Sequence, residues 1–480
     1  MSTTDQGSLS KNSIGLAQGV FQALTHMGPA AGVASSLLVA VSFAGAATPL
    51  AVVLTLAVVL LVGVAIGSLA RVFSTAGGLA DYAERVFGPR AGVFVSWLYA
   101  PLELLIAPIV LIFFGKFVSD TLDTTLHVSF PWWGVVIITA AFICFINIRG
   151  VKQSTTAGLV LGTAEIVIFV GLAVWILVVR AQDATLAVFD PGNAITPGWS
   201  GIFKAVVFSI LAFQGFETAA PLAEETRDPR RTIPRTVMYS ALGCGAFYLL
   251  CSYAAVLGWG FGNMGTFASS ASPWIDLART FWGPAWILIL FALLNSFVGN
   301  INAGTIAASR IVFSLGRSGR LPAQFGRIHP VHATPAFTIY VQTGFSVVLA
   351  ILLGSLLGPL EAFTLLGALI TVLAIIIYAI TCLACIRYYA KVPNKDLQTV
   401  ALRIVAPAVA VVILLAPLYF QFFPWPSYPA SLGNLAAIIL VAVAAVSALL
   451  PASGRRDGAG DVAVPVPGEL SPDAAAGRVS

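Results

Sequence analysis

"GFETAAPLAEETRDPRRTIPR", residues 215–235, runs an apolar segment straight into a charged one. The apolar segment begins near Ile202, and Glu217 lies inside it. A carboxylate at the centre of a bilayer costs at least ~2.5 kcal/mol on insertion scales. Glu217 is therefore expected to face a bundle interior, carry a proton or hold a cation. The "EETRDPRR" run reads as a solvated face that anchors topology, with Pro229 and Pro234 bracketing a short turn before the next crossing.

The rest of the chain agrees with a membrane setting. Of 480 residues, 58% are hydrophobic and 9% charged, and the mean hydropathy is +0.94. A soluble domain is about one quarter charged. The apolar runs are long enough for helices rather than barrel strands. The reading is an all-α integral membrane protein with twelve transmembrane helices, near 17–42, 49–70, 91–115, 131–148, 157–180, 202–222, 237–260, 284–310, 336–357, 361–387, 401–422 and 431–450. With the N-terminus inside, only Lys116, Arg180, Lys204 and Arg279 of the 25 Lys and Arg fall outside. That bias orients both termini to the cytoplasm and places a multi-pass protein in the plasma membrane. It also accounts for the net charge of +5 without a nucleic-acid partner.

The opening "MSTTDQGSLSKNS" lacks the basic, apolar and small-residue order of a cleavable signal peptide. Residues 1–16 read as a cytoplasmic segment, and the Gly-, Pro-, Ala- and Asp-rich tail 451–480 as disordered. The five cysteines fall in or near apolar runs, and Cys382 and Cys385, although spaced C-x-x-C, are expected to be buried inert thiols.

A second interruption matches the one at Gly215. The first helix contains "THMGPAAGVASS" with Gly28, Pro29 and Gly32 at its middle. Gly/Pro breaks at corresponding places in two halves are the best sequence pointer to a transporter site. Unwound backbone survives in a membrane only where it lines a cavity or meets a ligand. The segment after Pro29 is expected to aim the N–H groups of Ala30, Ala31 and Gly32 at an anion. The carbonyls from Phe213 to Gly215 are placed to hold an ammonium. The plain alternative for each break is a packing kink.

These residues resemble the amino acid–polyamine–organocation permeases. "FQGFETAAPLAEETRDPRRTIPR" is similar to that superfamily's span-six signature, and "STAGGLADYAERVFGPRAG" (74–92) to its loop between spans two and three. "NIRGVKQS" from Asn147 and the stretch from Asn300 to Pro335 are similar to its span-four exit and its span-eight pattern. The resemblance implies a five-plus-five inverted repeat within a transporter domain at 17–450. The repeats lie at about 17–180 and 202–387, helices eleven and twelve at 401–450, and the substrate between broken helices 1 and 6. Two departures stand out. Many relatives read Ile-Gly-x-Gly at the first break, where this chain has "MGPAAGV". Many also carry a Lys eighteen residues after the span-four Asn, where this chain has Glu165.

The candidate substrate-binding residues are Gly28, Ala30, Ala31, Gly32, Phe213, Gln214, Gly215, Phe216, Asn295 and Ser296, with Asn300 beside the last two. Phe213 and Phe216 are candidates for an aromatic gate. Glu217, Glu165, Glu103 and His26 are candidates for proton or ion coupling. For every one of them a packing or structural role is the alternative. No Gly-rich phosphate loop, nucleophile–base set or metal cluster is visible, so no enzyme activity and no cofactor are expected. His329 and His332 in "IHPVH" read as a turn. The expected function is secondary active transport of amino acids, proton-coupled and by alternating access. A carrier of polyamines or other organic cations, and a non-transporting sensor on the same scaffold, are the alternatives. The expected partners are a small amino acid or amine, protons or another coupling ion, and the bilayer.

Overall fold

The computed structural model describes residues 15–73, 77–150, 155–223, 225–317, 321–329, 331–332 and 334–450. Most of the cytoplasmic segment 1–16, the first residues of the 74–92 motif, Glu224 of the charged run, and the tail 451–480 expected to be disordered lie outside the described residues.

The first crossing is made of α1 (Leu16–Met27), α2 (Pro29–Ala34) and α3 (Ser36–Ala44). A 3-10 turn at Gly45–Ala47 reverses the chain into α4 (Thr48–Ala70). The short α5 (Gly78–Phe87) precedes α6 (Pro89–Leu126), α7 (Trp132–Ile148) and α8 (Thr155–Val179). The sixth crossing is α9 (Trp199–Ala212) followed by a 3-10 segment, Phe216–Leu222. Then come α10 (Pro229–Trp259), two short helices α11 (Met264–Ser269) and α12 (Pro273–Trp282), and the long α13 (Trp286–Arg317), α14 (Ala336–Leu357) and α15 (Pro359–Ala390). The eleventh crossing joins α16 (Leu397–Val400) to α17 (Ala406–Phe422) through a π turn, and α18 (Ala430–Leu449) is the twelfth. Among the described residues ten stretches are long and apolar enough to cross a bilayer, and α7 is a shorter apolar helix. One of the ten, Ser36–Ala70, turns back at Gly45, which brings the crossings to twelve.

The two five-helix repeats pack on each other through corresponding members: α4 on α10, α6 on α13, α3 on α9, and α1 on the 3-10 segment. Small residues allow two of these contacts. A Cβ at Gly67 would lie 3.1 Å from Pro234, and one at Gly304 2.8 Å from Ile106. Without a hydrophobic drive between helices in lipid, such close approach supplies the packing energy. The outward faces stay apolar, for example Ile138 and Phe142 of α7 and Val348 and Leu356 of α14. Polar side chains bridge crossings instead. Asn147 Nδ2 donates to Asn302 Oδ1 at 2.8 Å, and Gln421 Nε2 donates to Asn434 Oδ1 at 2.7 Å.

The structure corrects one sequence expectation about the charged run. Pro229 and Pro234 do not bracket a turn; both lie in α10. Asp228, at φ 44°, ends the loop, and its carbonyl accepts the Arg231 and Thr232 N–H groups. Pro229 stands at the first helical position, where its missing N–H costs nothing. Pro234 interrupts one bond but seats its ring against Gly67. The turn expected in "IHPVH" has a visible basis, since His329 Nδ1 accepts the N–H groups of Val331 and His332.

Candidate functional site

Each break has a local cause. At Gly28 the backbone takes φ 56°, ψ 72°, a left-handed conformation that ends α1, and Pro29 opens α2. Asn300 of α13 sits where a side chain at Gly28 would project, and its Nδ2 donates to the His26 carbonyl at 3.0 Å. In the sixth crossing α9 stops at Ala212, and Gly215 adopts φ 119°. A Cβ there would meet His26 at 2.6 Å, so the two breaks touch.

Unwinding exposes backbone groups, and side chains meet them. Glu217 Oε2 accepts the Gly215 N–H at 3.1 Å, and Oε1 accepts Gln214 Nε2 at 2.7 Å. Tyr378 of α15 donates to Gln214 Oε1 at 3.2 Å. The Ala212 carbonyl accepts the Tyr248 hydroxyl of α10 at 2.7 Å. On the first crossing the Ala31 N–H donates to Ser296 Oγ at 3.0 Å. Ser296 Oγ in turn donates to Glu165 Oε1 at 3.0 Å, while Asn295 Nδ2 donates to Glu165 Oε2 at 2.6 Å. The Ala30 N–H also faces the Glu165 carboxylate.

The four coupling candidates are all buried: Glu217 and Glu103 are 1% exposed, Glu165 4% and His26 5%. They form two groups. Glu165 belongs to the first break through Ser296 and Asn295. Glu103 and His26 form the other with Glu217, which lies within electrostatic reach of both. His26 Nε2 stands 3.7 Å from Glu103 Oε2, too far for a hydrogen bond. Both atoms are buried without a hydrogen-bond partner, as is Asn300 Oδ1. Such orphans are rare in folded proteins and mark places where a ligand, ion or water is accommodated.

A cavity lies between the breaks, lined by His26, Ser35, Ser36, Gln214 and Asn300 on its polar side. Ile106, Ile109, Val110, Leu211 and Phe363 form its apolar wall. It is narrow, about 30 Å³. Of the sequence candidates, Ala31, Gly32, Gln214, Asn300 and His26 reach this cavity. Gly28, Ala30, Gly215, Asn295 and Ser296 shape the backbone around it. Phe213 and Phe216 turn away: Phe213 packs edge-on against Tyr248 at 5.1 Å, and Phe216 against Tyr378 at 5.5 Å. The aromatic ring at the cavity is Phe363, which contacts Phe113 at 5.2 Å. Sequence reasoning did not find Phe363, because an isolated Phe in an apolar helix carries no signal of direction. Among the described residues no group of three or more His, Cys, Asp or Glu is arranged to hold a metal ion.

Two broken helices that meet across buried carboxyls are the sequence-and-structure pattern of a membrane transporter. The chain belongs to the amino acid permease family, whose model matches residues 14–446. It is a membrane transport protein rather than an enzyme. It is 27% identical over 335 residues to the low-affinity putrescine importer PlaP of Escherichia coli (strain K12), covering 66% of this chain and 71% of that protein. It is 24% identical over 253 residues to the branched-chain amino acid permease BcaP of Bacillus subtilis (strain 168), covering 50% of each. It is also 24% identical over 271 residues to the D-serine/D-alanine/glycine transporter of Escherichia coli (strain K12), covering 53% of this chain and 55% of that one. In fold it is similar to the Eremococcus coleocola manganese transporter, with a TM-score of 0.55 at 15% identity over 93% of this chain and 98% of the other.

Proposed function

We propose that this protein is a secondary active transporter that moves small amino compounds across the plasma membrane by alternating access, with proton movement coupled to transport. The observation that carries the reading is the contact of the two breaks at His26 and Gly215, with Glu217 bonded to the unwound Gly215 N–H. A carboxylate that ties broken backbone changes that tie when it takes up a proton, because a protonated oxygen no longer accepts on the side that bears the hydrogen. Protonation of Glu217 thereby biases the sixth crossing between two arrangements, and His26 and Glu103 are the neighbours with which it exchanges charge. The positive-inside bias supports cytoplasmic termini. The relatives' names supply the substrate chemistry: putrescine, branched-chain amino acids, D-serine, D-alanine and glycine share an amino group.

The test is uptake of labelled amines and amino acids into proteoliposomes, with and without an imposed pH gradient. Faster uptake with the gradient is expected. Equal uptake in both removes the proton coupling, and binding without accumulation identifies a sensor.

A further inference from the structure

We propose that Arg71, Arg235 and Arg403 form a cradle for the headgroup of an anionic phospholipid, at the end of the bundle where α4 packs on both α10 and α17. None of the three belongs to either break, so the site stands whatever the breaks carry.

The last turn of α4 gathers the three arginines. Arg71 directly follows α4, and its backbone is still helical. Gly67, one turn earlier, lies against Pro234, which puts Arg235 of α10 beside that turn. The Ser68 carbonyl accepts the Tyr389 hydroxyl of α15 at 3.0 Å. The Arg403 guanidinium rests over the Tyr389 ring at 4.7 Å. Arg403 sits in the π turn at Ala401–Val405, a local widening of the kind frequent at functional positions. Its carbonyl accepts Cys385 Sγ at 3.4 Å. Burial lowers the Arg71 pKa, as do the charges of Arg403 and Arg235, and Tyr389 opposes them. Both other arginines are therefore within electrostatic reach of Arg71.

Like charges held together repel unless an anion stands among them. Among the described residues, Arg71, Arg235 and Arg403 make no ion pair. Asp396 feels the Arg403 charge, but its Oδ1 accepts the Thr399 N–H as the cap of α16. The surroundings point to a lipid. Ala57, Val64 and Arg71 recur every seven residues, on a face of α4 that the bundle does not fully bury. Arg235, Tyr239 and Leu242 share a face of α10, and the last two are 55% and 52% exposed. Val409 and Val412 of α17 are exposed as well. In a bilayer these apolar stripes meet acyl chains, and the arginines stand where the stripes reach the headgroups. A phosphate diester of net negative charge fits there. Planar guanidiniums bind phosphate oxygens in pairs, and basic pockets between helices hold anionic headgroups.

The test titrates the full-length protein in detergent with phosphatidylglycerol and with phosphatidylcholine of the same acyl chains, and counts bound lipid by native mass spectrometry. Phosphatidylglycerol should bind at least about tenfold more tightly, since each arginine at a membrane surface favours an anionic lipid about fivefold. Arg71→Gln combined with Arg403→Gln should cut that preference at least about fivefold. Arg71→Gln alone, should the double variant not fold, should cut it in the same direction. Arg327→Gln removes an exposed charge from the segment after α13 and should leave the preference unchanged. Equal binding of the two lipids overturns the cradle. So does a preference unmoved in a folded Arg71 variant, or lowered as much by Arg327→Gln as by the double variant. Inorganic phosphate at millimolar concentration should not displace phosphatidylglycerol. Displacement would reveal a site for soluble anions and overturn the lipid assignment.

Discussion

Glu217 accepts the N–H of Gly215, two residues earlier in the chain, at 3.1 Å, and its other oxygen accepts Gln214 Nε2 at 2.7 Å. The site therefore needs two acceptors on one side chain. Glutamine has the same length but presents one acceptor and one donor. Glu217→Gln should leave one donor facing another, at a cost of about 1–3 kcal/mol for the buried group left unpaired. The expected result is a lower melting temperature in detergent and a loss of pH-gradient-driven uptake. A variant as stable as the parent, with gradient-driven uptake intact, would show that Glu217 holds neither the backbone nor the proton.

Gly215 and His26 form the contact between the two broken crossings. At φ 119° an L-residue is strained, and a Cβ would come within 2.6 Å of His26 Cδ2. Gly215→Ala should separate the breaks, lower the melting temperature and abolish uptake. Gly243 of α10, where a Cβ meets nothing within 4 Å, is the matched control, and Gly243→Ala should leave both measurements close to those of the parent. Equal behaviour of the two variants would mean that contact between the breaks is not needed.

Much of this arrangement is legible in the sequence. The crossings are, because a bilayer demands about 20 apolar residues for each helix. So are the two breaks, since Gly28–Pro29 and Gly215 stop a helix for local reasons. What the Ala30 and Ala31 N–H groups meet is not legible, because the answer lies in Glu165 and Ser296, more than a hundred positions away. Nor is the direction of Phe213 and Phe216, because in an unwound segment no 3.6-residue period says which way a side chain points. The start of α10 was obscured by charge: "RDPRR" reads as loop, although Pro at the first helical position is also a helix signal.

Pro108 lies inside α6 and cannot donate to the carbonyl of Leu104, one turn earlier. Gln342 of α14 donates to that carbonyl at 3.1 Å. Gln342→Leu removes the substitute donor within the bundle, and a drop of about 1–3 kcal/mol in stability is expected. In a Pro108→Ala background the helix supplies its own N–H, so the same change should cost less. Thermal unfolding of the four proteins in one detergent measures the difference, and equal costs in the two backgrounds would rule out the substitution of one donor by the other.

Cys144, Cys244, Cys251, Cys382 and Cys385 are all free and buried. A membrane-impermeant maleimide should label none of them in intact vesicles and all five after denaturation. Reducing agent should leave uptake unchanged. Labelling of any thiol in the folded protein, read by mass spectrometry, would overturn the burial of that thiol.

Tyr248 and Gly32 restrict each other. The Tyr248 hydroxyl donates to the Ala212 carbonyl at 2.7 Å, and a Cβ at Gly32 would collide with that same hydroxyl. Gly32→Ala should therefore push Tyr248 off the end of α9 and cost both the hydrogen bond and packing. Tyr248→Phe loses the hydrogen bond but removes the obstructing oxygen, at about 1–3 kcal/mol for the unpaired carbonyl. The double variant should be more stable than the sum of the two losses predicts, by 0.5 kcal/mol or more on the scale of about 0.5–3 kcal/mol typical of contacting residues. Additive losses in the melting curves would mean that the first and sixth crossings are not joined through Tyr248. A positive coupling accompanied by recovered uptake would establish that the hydroxyl's place beside Gly32, and not the ring's bulk, sets how closely α2 approaches α9.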